Sequence, residues 1–247
     1  MKVVFHEDFY QVYTYDPAAE AGRMEAIVEV IQPHVEFVPA VAAGPEDIAA
    51  VHTRSHIEQV RAEGLYPIAA LAAGGAIQAA TLGLSEPCFG LIRPPGHHAS
   101  AGSAWGFCFF SNMAIAVHLL KRQGKIETAY ILDIDYHYGD GTVNILGKDD
   151  WVVIHNVSAY SRQAYMHEIR QEMKRCQADI IGISAGFDFH ERDWGGLLAT
   201  DDYREIGRLV RAVALRNKGG CFAILEGGYN HSVLGHNVMA LIEGLTV

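Results

Sequence analysis

In Asp133-Ile134-Asp135-Tyr136-His137, side chains able to bind metals or move protons recur at every second position. An extended backbone turns alternate residues to one side, so Asp133, Asp135 and His137 are expected to project together. A carboxylate beside an imidazole is a good donor pair for zinc or ferrous iron. The competing reading is a capping aspartate followed by a surface histidine. Asp188, in Ser184-Ala185-Gly186-Phe187-Asp188, would alone be read as a turn or helix cap. It too follows an apolar run, and beside Asp135 and His137 it becomes the natural third ligand. Three protein ligands leave a position open for water, as catalytic metal sites do.

Three further clusters carry reactive or shaping residues. Arg93-Pro94-Pro95-Gly96-His97-His98 sets two histidines on a loop stiffened by prolines. They are either polar loop residues or, near the ligands, proton-transfer groups. Each would need a carboxylate on its far nitrogen, and Asp133 and Asp140 are the spare ones. Glu226-Gly227-Gly228-Tyr229 reads first as a turn, but it would also bring the Tyr229 hydroxyl to a developing oxyanion. Gly106-Phe107-Cys108-Phe109 serves equally as core or as the wall of an apolar channel.

The elements that must position these residues follow from periodicity. Apolar or β-branched runs predict strands at Val3–His6, Val35–Val38, Phe89–Ile92, Ala129–Asp135, Trp151–His155, Ile180–Ser184 and Cys221–Leu225. Helical spacing predicts helices at Ala18–Ile31, Ala69–Leu82, Asn112–Arg122, Ala164–Cys176, Asp201–Asn217 and Ser232–Leu245. Alternating strands and helices imply an α/β fold of three αβα layers around a central, mainly parallel sheet. No repeat or linker divides the chain, so residues 1–247 are expected to form one domain. Four strand ends deliver the reactive clusters, and parallel sheets bind ligands at that edge.

Composition narrows the classes further. The 247 residues are 50% hydrophobic with a formal net charge of -10. An acidic chain lacks the basic footprint of a nucleic-acid partner, although it could attract cationic ligands such as lysine peptides or polyamines. Cys88, Cys108, Cys176 and Cys221 form no CxxC pair, so neither a disulfide framework nor a thiolate zinc site is expected. MKVVFHEDF turns charged too early for a signal peptide. No apolar run approaches the roughly 20 residues that span a bilayer. A soluble, cytoplasmic protein with no membrane partner is the expectation.

Together, RPPGHHA, GFCFFSN, DIDYHYGDGT, SAGFD and LEGGY resemble the histone deacetylase and acetylpolyamine amidohydrolase superfamily, with its arginase-like fold. The resemblance implies zinc, or ferrous iron, held by Asp135, His137 and Asp188. It implies His97 and His98 as the general base and acid pair, backed by Asp133 and Asp140 respectively. Tyr229 would polarise the scissile carbonyl, with Gly106 and Phe107 lining an acyl-lysine channel. A structural potassium ion near Asp133, Asp135 and His137 is also implied. The substrates would be acyl-lysine proteins or acylated polyamines.

The chain departs from the family pattern in three places. Tyr138 stands where a second histidine is usual. His155-Asn156-Val157 replaces Ser-Leu-His and removes a usual potassium ligand. The stretches from His52 to Arg93 and from Val157 to Ala178 are short. The second lacks the rim loop that supplies an aromatic channel wall, and Tyr160 or Tyr165 is the candidate substitute. The rim is then either open or completed by a neighbouring subunit in a homo-oligomer. Two rival functions are a two-metal ureohydrolase and a ligand-binding protein without turnover. His6, His52, His231 and His236 carry ordinary packing or surface readings.

Overall fold

The structure is a computed structural model that describes residues Met1–Val247. Seven strands form one sheet: β1 (Lys2–Phe5), β2 (Glu36–Pro39), β3 (Cys88–Gly90), β4 (Ala129–Asp133), β5 (Val152–Asn156), β6 (Ile180–Ala185) and β7 (Gly220–Leu225). Their order is β2-β1-β3-β7-β6-β4-β5, and every pairing is parallel. The mainly parallel expectation thus becomes wholly parallel. β3, β4, β6 and β7 are buried along their whole length. Covering on both faces explains why they read as apolar runs without alternation.

Nine helices cover the sheet: α1 (Arg23–Ile31), α2 (Pro45–Ala49), α3 (Arg54–Ala62), α4 (Tyr66–Gly83), α5 (Asn112–Arg122), α6 (Asp140–Leu146), α7 (Arg162–Arg175), α8 (Thr200–Asn217) and α9 (His231–Thr246). α1, α9, α8 and α7 pack side by side as one layer, with α8 on β6 and β7. α4 and α5 form the other layer, with α4 on β1, β3 and β7. The main core draws on both layers, from Met24, Ile27 and Ile31 of α1 to Val210 and Val213 of α8. All four cysteines are buried and unpaired.

Several boundaries differ from the sequence reading. α1 begins at Arg23, because Gly22 takes a left-handed φ of 86° and Ala18 and Ala19 lie in a separate 3-10 turn. The short helices α2, α3 and α6 were not expected, and α6 starts inside the reactive motif at Asp140. β4 ends at Asp133, so alternation along a strand does not place Asp135 and His137. The turn after β4 places them instead.

Candidate active site

The strands that precede the four main clusters, β3, β7, β6 and β4, are consecutive in the sheet. Because they are parallel, their carboxyl ends meet at one edge. β4 leads to Asp133, Asp135 and His137, and β6 to Asp188. β7 leads to Gly227 and Tyr229, and the loop after β3 carries His97 and His98.

The turn after β4 is built on its own carboxylates. Asp133 Oδ1 accepts from the Asp135 amide (3.1 Å), and Asp135 Oδ1 accepts from the His137 amide (2.9 Å). Asp135 Oδ2 accepts from the Gly227 amide (2.9 Å), and Asp188 Oδ1 from the Tyr136 amide (3.1 Å). His137 Nδ1 then lies 3.1 Å from Asp135 Oδ1 and 3.0 Å from Asp188 Oδ2. The Asp188 contact is off the hydrogen-bond direction, which leaves this buried oxygen without a donor.

One ligand atom from each of Asp135, His137 and Asp188 lies within 4.8 Å of the other two. A Cβ on Gly227 would sit 2.6 Å from Asp135 Oδ2 and 2.8 Å from Asp188 Oδ2, so the cradle tolerates only glycine there. Burial and the charge of Asp135 push the Asp188 carboxyl up to about 7. Burial alone would raise Asp135 too, but His97 and His137 hold it well below the usual range. The hydrogen bond to Asp135 and the Asp188 carboxylate beside it lift His137 to about 10. Two buried carboxylates, a shared imidazole and an orphaned oxygen fit a divalent cation.

Each member of the histidine pair meets an aspartate. His97 Nδ1 lies 3.1 Å from Asp133 Oδ2, and His98 Nδ1 lies 2.7 Å from Asp140 Oδ1. The two rings are 4.0 Å apart. Burial opposes charge on both, with opposite outcomes. Asp135 and Asp133 overcome it at His97, which is raised well above its ordinary value. At His98 burial and the His97 charge prevail over Asp140 and lower it to about 4. Glu226, fully buried, accepts from the Gly96 (2.7 Å) and His97 (3.3 Å) amides and so fixes the histidine loop.

His97, His98, His137, Gly106, Phe107 and Tyr229 line one pocket of about 100 Å³. Gly106 has a φ of 58°, and a Cβ there would collide with the His98 ring. Phe107 also has a left-handed φ, 68°, and its ring lies 5.9 Å from that of Tyr229. Burial and the charges of Asp135 and Asp188 raise the Tyr229 phenol, so it stays protonated.

Two tryptophans that no sequence motif marks, Trp105 and Trp194, complete the mouth. Trp105 packs with its ring centre 3.8 Å from that of His98, tilted by 32°, and donates to Asp140 (2.9 Å). Trp194 stacks 4.1 Å from Tyr229. Its loop is tied down by Asp193, which accepts from the Tyr229 and Asn230 amides at 2.8 Å each. The chain has three tryptophans, and the position of these two beside Gly106 and just after Asp188 was the available signal. The suggested substitutes do not serve this mouth. Tyr165 is fully buried and donates to the Ile134 carbonyl (3.1 Å), and Tyr160 is 97% exposed outside the pocket.

His52 also has a larger part than a packed helix end. The Ser111 amide donates to its Nε2 (2.9 Å), so Nδ1 carries the hydrogen and donates to the Ser100 carbonyl (3.0 Å). It therefore joins the two ends of the loop that carries Trp105, Gly106 and Phe107. Thr53 N–H to the Ala101 carbonyl (2.8 Å) and His56 Nε2 to the Phe109 carbonyl (2.7 Å) reinforce the join.

The histone deacetylase domain matches residues 62–168 and 155–245. This chain belongs to the histone deacetylase family. A probable deacetylase of Archaeoglobus fulgidus is 31% identical, with 92% of this chain and 81% of the relative aligned. A probable deacetylase of Methanothermobacter thermautotrophicus is 28% identical, over 98% of this chain and 90% of the relative. The histone deacetylase-like amidohydrolase of Pseudomonas aeruginosa is 26% identical, over 91% and 74%. In fold, this family member is similar to the crystal structure of the HDA15 HD domain, with a TM-score of 0.86 at 23% identity. That match covers 99% of this chain and 89% of the other. Membership makes the protein a hydrolase of the deacetylase and amidohydrolase class, acting on acylated amines. No helix is long and apolar enough to cross a membrane.

Proposed function

We propose that this protein is a zinc-dependent amidohydrolase that removes acetyl or other short acyl groups from acyl-lysine or acylated polyamines. The observation that carries the reading is the single pocket where two His–Asp pairs and Tyr229 face the Asp135, His137 and Asp188 cradle. Those three residues would hold the ion, and ferrous iron suits the same donors. A bound zinc supplies Lewis acidity, which polarises a carbonyl and acidifies water.

The chain's own groups perform the remaining steps. Asp133 and Asp140 set the tautomer and orientation of His97 and His98. The pair takes the water proton and returns a proton to the leaving amine. The Tyr229 hydroxyl, kept protonated, donates to the oxygen that gains charge. Trp105, Phe107 and Trp194 form the aromatic mouth around the aliphatic stem of the substrate. All these residues hang on one sheet, so residues 1–247 would act as one catalytic unit. No contact in the site supports the implied potassium ion near Asp133, Asp135 and His137, and the proposal leaves it out.

The test is acetate release by the zinc-loaded protein from a panel of acetyl-lysine peptides and acetylpolyamines. Turnover that disappears on chelation and returns with zinc is the expected result. A protein with one zinc bound per chain that cleaves no member would overturn the proposal.

A further inference from the structure

A second cleft, of about 460 Å³, opens on the other side of His137. His137 lines both cavities, while Trp194 borders the reaction pocket and its neighbour Gly195 the cleft. The cleft exists because only Val157 to Ser161 separate β5 from α7, and so short a connection builds no wall over the turn after β4. Tyr136, Tyr138 and Tyr160 are left 46%, 59% and 97% exposed around it. Val157, Phe189 and Leu197 complete an apolar lining.

We propose that this cleft binds the polypeptide beside the acyl-lysine and takes one large apolar side chain of a protein substrate. The inference rests on the amidohydrolase reading and names its substrate class. The direction of the pocket decides what reaches the cleft. Buried His97 and Gly227 form the floor, and half-exposed Trp105 and Trp194 the mouth. The acyl end therefore points to the floor, and the amine side leaves through the mouth past Trp194, whose neighbour Gly195 lines the cleft. A polyamine would leave the cleft empty, whereas a peptide chain would cross it. The lining decides the chemistry of the occupant. Its one carboxylate, Asp135, is buried and already bonded to Gly227 and His137, so no free anion awaits a cationic side chain. Exposed aromatic and aliphatic surface of this kind marks an interaction site.

The experiment is equilibrium binding and turnover of acetyl-lysine peptides that carry Leu, Phe or Gly beside the modified lysine, with zinc present. A minimal acetyl-lysine amide serves as reference. Leu and Phe peptides should bind and react about tenfold better than Gly peptides, the effect of partly burying one such side chain. In a protein carrying both Tyr138→Ala and Tyr160→Ala that ratio should fall to about one. These side chains are exposed, so their loss spares the core, and thermal melting checks this. Equal binding of all three peptides by the unaltered protein overturns the proposal, as does a preference that survives both substitutions. So does a stable dimer, seen by sedimentation, that covers the cleft. A binding preference without turnover of any acyl group sinks the amidohydrolase reading and leaves the cleft assignment standing. Turnover of the minimal amide with no flank preference does the reverse.

Discussion

At the scale of single residues, the candidate site sets neighbouring groups of one type apart through their surroundings. His97 and His98 are adjacent in sequence, yet two aspartates near the first and burial beside a charged ring at the second separate their protonation. Burial first, and then the charges of Asp135 and Asp188, keep the proton on Tyr229, as they do on buried Tyr165 and Tyr203. Replacing Tyr229 with Phe removes the donor while keeping the ring that stacks on Trp194. Tyr229→Phe should lower kcat by roughly 10²–10³, as removal of other oxyanion donors does, with zinc stoichiometry unchanged. Undiminished kcat would take Tyr229 out of the chemistry. Residues defined by type and spacing were legible in this way, because metal and proton chemistry restricts the side chains that can appear. Glu226, Trp105 and Trp194 were not, because their parts depend on contacts with distant segments.

At the scale of elements, the strands were readable to within about two residues because a doubly covered parallel sheet admits little but apolar side chains. The helices α2 and α6 leave no signal in the sequence, because five to seven residues give no sustained periodicity. The loop from Ser100 to Ser111 shows why local reading stops there. It has no regular structure of its own, and its shape comes from His52, on the connection before α3. That role makes a pH prediction. Burial first, and then the neighbouring His56, lower the His52 pKa to about 4, against roughly 6.5 in an unfolded chain. The folded state thus favours neutral imidazole. Its stabilising contribution is complete above about 6.5 and is lost as pH falls towards 4, by roughly 3 kcal/mol in total. His52→Gln offers a donor and an acceptor but does not titrate. The stability advantage of the unaltered protein over this variant, from urea unfolding, should therefore shrink steadily between pH 7 and pH 4.5. A constant difference across that range would show that His52 titrates normally.

At the scale of the whole molecule, the sheet gathers Asp133, Asp135, Asp188 and Glu226 at one edge, all buried, with His97 and His137 as the cations among them. Burial lifts both Asp188 and Glu226 to about 7, so the fold holds these carboxylates in an environment that resists their charge. A cation in the Asp135, His137 and Asp188 cradle relieves that conflict only in the folded chain, where the three ligands converge. Binding to the native state alone stabilises by about 2.7 kcal/mol when zinc is present at a hundred times its Kd. For a chain of this size, each kcal/mol moves Tm by about 2–4 °C. Zinc should therefore raise Tm by roughly 5–10 °C in a thermal melt, and chelation should return it to the starting value. Ligation requires His137 and Asp188 to give up protons, so the shift should widen from pH 6 to pH 8. Asp188→Asn removes an anionic ligand and should reduce the shift at every pH. A melting curve that ignores saturating zinc, in a protein shown by elemental analysis to carry none, would mean that these carboxylates are held together for another purpose.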